Sequence, residues 1–235
     1  MMSKNNEDEE SDAAIIDTRQ IVVDADNYWN ALARLDTTWS SIERNMNPLG
    51  SLYVLARNWY DRSQGELLPF AHDLIARVRA CSDLRLRNVL VVYREMSPKD
   101  DGKPLAYGHF LIPFFVKSLG NYYFDKDSIR EPHIFKDIEW GKRKRGKSGY
   151  SKNGERWRYS PKGRDPGNVF YKTSRDAKGY ILAVNETTDA EIYQKLARAS
   201  TKKGGTIASN IQDSIFQSII AECGRKLIRV ELIRQ

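Results

Sequence analysis

The densest run of residues able to do chemistry lies between Ile134 and Lys162. Ten Lys or Arg stand there (136, 142–145, 147, 152, 156, 158 and 162) against Asp137, Glu139 and Glu155, an excess equal to the net charge of +7 of the 235-residue chain. Phe135, Trp140, Tyr150, Trp157 and Tyr159 are interleaved with the cations, and Gly141, Gly146, Gly149 and Gly154 prevent a regular helix. The pattern predicts an irregular, mobile, cationic loop. Cations beside flat rings suit a phosphate backbone whose bases can be stacked on or wedged apart. The strongest candidates for such contacts are Lys142, Arg143, Lys144, Arg145, Lys147, Arg156, Trp157 and Arg158. A solvated loop, or a localisation signal made by Lys142–Arg145, is the plainer alternative.

Something must hold that segment. The length suits one sizeable core, either as a single large domain or as one domain with a long insert, and 40% hydrophobic residues with five Trp argue for a folded chain. No run approaches the roughly 18 apolar residues of a membrane span, and the acidic start is no signal peptide. The expectation is an intracellular protein, cytoplasmic or nucleoid-associated. Cys81 and Cys223, with His72, His109 and His133, give neither a disulfide framework nor metal-ligand spacing.

Residues 1–12 read as a disordered acidic tail and 13–235 as one folded domain carrying the insert 134–162. Strands are predicted in 13–17 or 20–24 or both, and at 51–56, 88–93, 109–116, 180–184, 205–209 and 226–232. Helices are predicted at 28–45, 67–81, 190–199 and 213–221, and a Pro/Asp/Gly loop at 97–104. The alternation predicts the α/β class, a mostly parallel sheet with helices on both faces and the insert outside the carboxyl ends of the strands.

Several phrases together resemble the DNA methyltransferases that modify N4 of cytosine or N6 of adenine. They are Met46-Asn47-Pro48-Leu49-Gly50-Ser51-Leu52-Tyr53-Val54, the strand Asn88–Arg94, His109–Lys117 with Phe110 where the family has an acid, Tyr122–His133, and Gly163–Phe170. They cover residues 45–172 in the family's order. The order is that of the type whose cofactor half is C-terminal, and Gly204-Gly205-Thr206-Ile207 through Gly224–Glu231 is similar to that half. The resemblance implies the S-adenosylmethionine-dependent methyltransferase fold, S-adenosylmethionine as cofactor if the chain is active, and double-stranded DNA as partner. It places Asp17 at the catalytic acid, Gly204 at the cofactor turn and Glu231 at the acid that holds the ribose.

Two phrases depart from the family. Thr18-Arg19-Gln20 stands where prolines and an aromatic residue grip the flipped base, and Ser209-Asn210-Ile211-Gln212-Asp213-Ser214 stands where a glycine turn approaches the methyl donor. The sequence therefore suggests a degenerate member, a DNA-binding partner of an active methyltransferase subunit. An active but divergent enzyme built on Asp17 and Glu231, and a plain nucleic-acid-binding module, are the alternatives.

Overall fold

The computed structural model describes residues 10–21, 23, 26–61, 63–94, 108–133, 150–152, 155–157, 160–175 and 181–232, the two short runs near 150 as backbone only. The strands are β1 (Ser11–Asp17), β2 (Met46–Leu55), β3 (Trp59–Asp61), β4 (Glu66–Leu68), β5 (Arg85–Tyr93), β6 (His109–Val116), β7 (Tyr150–Lys152), β8 (Glu155–Trp157), β9 (Val169–Phe170), β10 (Lys172–Arg175), β11 (Ile181–Asn185), β12 (Thr206–Ser209) and β13 (Lys226–Arg229). The helices are α1 (Tyr28–Ala33), α2 (Asp36–Arg44), α3 (Phe70–Cys81), α4 (Asp189–Ser200) and α5 (Ser214–Glu222). Seven strands form one sheet in the order β13-β12-β1-β2-β6-β5-β9. Every strand of that sheet runs parallel except β6, which is antiparallel to both neighbours.

Alternation along the central strands explains the two cores. In β1 and β2, Ala14, Ile16, Leu52 and Val54 point to one face and pack with α1–α3. Ile15, Tyr53 and Leu55 point to the other and pack with α4 and α5. Strands buried on both faces read as continuous apolar runs, and such a sheet needs helices on each side. Asp12 belongs to this structure and not to a tail. Its carboxylate accepts the Thr206 amide at 2.8 Å and a bond from Asn47, tying three strands together at their amino ends, so β1 begins before its apolar run.

Other boundaries also differ from the sequence pattern. The helix expected over 28–45 is two helices, because an i to i−3 bond from the Leu35 amide to Leu32 (3.1 Å) tightens the chain between them. Asn47–Gly50 does not precede a strand but lies inside β2, as a bulge opposite Ser11–Ala13. A Cβ on Gly50 would stand 2.2 Å from the Met46 side chain. The segment 180–184 contributes β11, which pairs with β10 outside the main sheet. Part of the insert is regular, for β7 and β8 form an antiparallel pair with Tyr150 opposite Trp157. Asn153-Gly154 between them is a two-residue hairpin signal.

The insert expected outside the carboxyl ends of the strands begins at Ile134, outside the described residues; the segment that leads to it is described. β6 runs the opposite way, so its exit at Val116 is at the amino end of the sheet, and the chain then turns back over α4, with the Asp125 amide on Ala199 O at 2.8 Å. The two sides of the neck meet at Glu131 and Arg164, whose amides exchange backbone bonds of 3.1 and 2.7 Å. Their side chains also pair, and Lys195 of α4 joins Glu131. Gly163 lets the two chains approach: its φ is +101°, and a Cβ would lie 2.6 Å from Glu131 O.

Candidate functional site

At the carboxyl ends of the strands the fold gathers side chains from five distant segments. β1 delivers Asp17, which is only 8% exposed. Two residues on, Arg19 folds back onto it. The Arg19 backbone amide and Nε donate to one Asp17 carboxylate oxygen at 2.9 and 3.0 Å, and a terminal guanidinium nitrogen donates to the other at 2.7 Å. The same guanidinium donates to both oxygens of Asp189 (3.1 and 2.9 Å) and to the Tyr193 hydroxyl (3.2 Å). The Thr188–Glu191 capping box starts α4 and so fixes Asp189 in its first turn.

A second arginine closes the other side. Arg94, just beyond β5, pairs with Asp189, donates to Thr187 O at 2.9 Å and lies 3.8 Å from Glu186. Both guanidiniums stand over the ring of Phe110 at the start of β6, at 4.6 and 5.0 Å from its centroid, a geometry that attracts a cation to the ring face. Burial by itself would lower the Arg19 pKa, but the bonds to Asp17 and Asp189 and their charges outweigh it and raise it. Burial likewise works against ionised Asp189, yet Arg19 and Arg94 hold its carboxyl below the usual range. Burial raises the Tyr193 phenol to about 12, which keeps it a neutral hydroxyl.

The turn after β12 is shut by side chains too. Asn210 donates to Asp17 O and accepts from the Asp17 amide, both at 2.8 Å. Ser209 Oγ donates to Ile15 O at 2.5 Å and accepts the Ile211 amide at 3.2 Å, while Asp213 caps α5 by accepting the Ile215 amide at 2.9 Å. A glycine turn would leave backbone amides open to a close-lying ligand. Here the Asn210 carboxamide locks β1 to β12 beside the turn, and Arg19 is seated on the Asp17 carboxylate.

Of the residues singled out from the sequence, Asp17 lies at this edge, and Glu231 follows β13 on the same side of the sheet, exposed. Gly204 does not. It precedes β12 at the amino end, with φ of +82° and its amide on Gly224 O at 2.7 Å, so it turns the chain away from this edge. Arg156 and Trp157 are in β8, whereas Lys142, Arg143, Lys144, Arg145, Lys147 and Arg158 fall outside the described residues. Sequence reasoning missed Asp189, Tyr193 and Asn210. The capping box was a local signal for the first, but the pairing across 170 positions had none. It also missed Arg57, an exposed guanidinium 3.8 Å over the Trp59 ring, whose pKa is lowered by burial and then by the charge of Arg19.

No protein-family profile matches the chain, and no curated protein matches it. Solved structures do. A Thermus thermophilus protein assigned as a DNA modification methylase, in complex with S-adenosyl-L-methionine, superposes with a TM-score of 0.62 at 15% identity, over 96% of this chain and 83% of that one. The cytosine-N4-specific PvuII DNA methyltransferase gives 0.63 at 11% identity, over 94% and 74%. The chain has the DNA methyltransferase fold. Within that fold the carboxyl edge just described is where ligands of open α/β sheets bind.

Proposed function

We propose that this chain is a DNA-binding member of the N4-cytosine/N6-adenine methyltransferase family with a closed catalytic edge, acting as a subunit that positions DNA for a competent methylase. The observation that carries the reading is Arg19 seated on both carboxylate oxygens of Asp17. An acid that readies an exocyclic amine must accept that amine's hydrogen bonds, with the base held beside it. Here its lone pairs are taken by a guanidinium held by Asp189 and Tyr193 as well. The DNA methylases that share the fold, and the basic, aromatic composition of the insert, support DNA as the partner.

In this reading Lys142, Arg143, Lys144, Arg145, Lys147, Arg156 and Arg158 contact phosphates and Trp157 stacks on or wedges between bases. Each phosphate contact releases condensed counterions, so affinity for duplex DNA falls with salt. Replacing Lys142, Arg143, Lys144 and Arg145 by Ala flattens the log–log salt slope by about one for each phosphate no longer neutralised. An unchanged slope in the quadruple variant contradicts this use of the run. Calorimetric titration with S-adenosylmethionine, with and without duplex DNA, tests the closed edge; saturable heat in either arm favours instead a divergent enzyme built on Asp17 and Glu231.

A further inference from the structure

Beneath the neck of the insert, on the α4 face of the sheet, lies a cavity of about 610 Å³, within the range of small-molecule sites. It is separate from the carboxyl edge. Its floor is Tyr53 of β2 and Phe114 of β6, stacked at 4.5 Å and 11°. Phe124, from the segment leading into the insert, continues the stack at 5.7 Å from Phe114, and Tyr122 meets Phe114 edge-on at 5.9 Å. Stacked rings ending at an open space suit a flat ligand ring.

Polar groups converge on the same space. At the rim, Asn168 uses its amide on Val89 O (3.2 Å) and Asn88 accepts the Val89 amide (2.8 Å), which leaves one carbonyl and one amino group for the edge of a heterocycle.

The charge of the lining is positive, with Arg87, Lys126 and Lys195 against Asp165. Lys126 pairs with Asp165 in a half-exposed bridge and Lys195 pairs with Glu131. Arg87 donates to the Tyr122 hydroxyl at 2.7 Å and has no carboxylate partner among the described residues. Its remaining donors fit an anionic oxygen cluster.

We propose that this cavity is a nucleotide site, with the base on Phe124 at the end of the stack, its edge at Asn88 and Asn168, and the phosphate on Arg87. The nucleotide comes either from free solution or from DNA held by the insert, whose flanking segments, residues 122–129 and 165–170, form the wall. The proposal does not rest on the closed carboxyl edge. The test is calorimetric titration of the intact chain with dAMP and dCMP, with the nucleosides and deoxyribose 5-phosphate as controls. One mononucleotide at least binds; removing either base or phosphate weakens binding by about tenfold or more, and so does Arg87→Ala, the loss of one charge-assisted bond.

Phe124→Ala gives the sharper result, because it removes the ring and leaves Arg87 in place. It weakens the mononucleotide by about tenfold, the loss of one stacked base, and leaves binding of deoxyribose 5-phosphate unchanged. Saturating duplex DNA that displaces the mononucleotide identifies DNA as the source, and undisturbed binding identifies free nucleotide. Absence of heat with both mononucleotides, or mononucleotide affinity unchanged in Phe124→Ala or in Arg87→Ala, would overturn the proposal.

Discussion

Two regions of the same sheet treat their polar groups in opposite ways. At the carboxyl edge Asp17, Glu186 and Asp189 are answered by Arg19 and Arg94, with Asn210 clamped across β1 and β12. Beneath the neck of the insert, Arg87 has no carboxylate partner among the described residues and about 610 Å³ is left open. The fold is shared with DNA methylases, and at the edge where such sheets take ligands the acids are paired with the protein's own arginines. A fold does not by itself fix a chemistry; the site has to be read residue by residue.

The severest challenge to the closed edge is Arg19→Ala. The Asp17 and Arg19 side chains are 10% and 12% exposed, so the variant leaves Asp17 buried without its cation, and stability should fall by about 3–5 kcal/mol. Chemical denaturation measures it, and an unchanged midpoint would mean that the knot holds nothing together. At the other region, Gly163→Val places a β-branched residue at φ of +101° against Glu131 O. A loss of about 2–3 kcal/mol in the melting transition is expected, because a bulky residue is strained there. Asn210→Ala removes two bonds at the carboxyl edge and should cost about 1–2 kcal/mol.

Acid acts on the closed edge selectively. The folded pKa of Asp189 is below its ordinary value of 3.8, so its contribution is full above that value and disappears as pH falls through the folded one. Asp189→Asn should lower stability at neutral pH and make the decline below about pH 4 shallower. Unfolding followed across that range checks the slope; an identical acid limb in the variant would show that Asp189 does not set it. The smallest effect is expected from Trp157→Phe, which should reduce DNA-induced quenching of tryptophan fluorescence with little change in stability. Undiminished quenching would mean that Trp157 does not touch DNA.

Much of this was legible in the chain. Unbroken apolar runs such as His109–Val116 announced strands buried on both faces, and the alternation of strands with amphipathic segments gave the α/β class. The run Thr18-Arg19-Gln20, where the sequence departs from the phrase that the resemblance implies, lies at the carboxyl edge. What Arg19 pairs with there was not legible, because it meets Asp189 and Tyr193 only after the sheet brings together segments 170 positions apart. The reversal of β6 was not legible for a related reason: nothing local in His109–Val116 says that, within the seven-stranded sheet, this strand runs against both neighbours.

The closed edge is tested most directly by incorporation of labelled methyl groups from S-adenosylmethionine into mixed-sequence duplex DNA, using protein purified away from host methylases. Well-oriented positioning of two reactants is worth roughly 7–11 kcal/mol of barrier, and each 1.36 kcal/mol is about tenfold in rate. With Arg19 on Asp17 and Asn210 across the turn, the expected result is no incorporation above background. Incorporation by the wild-type chain that disappears in Asp17→Ala would contradict the account.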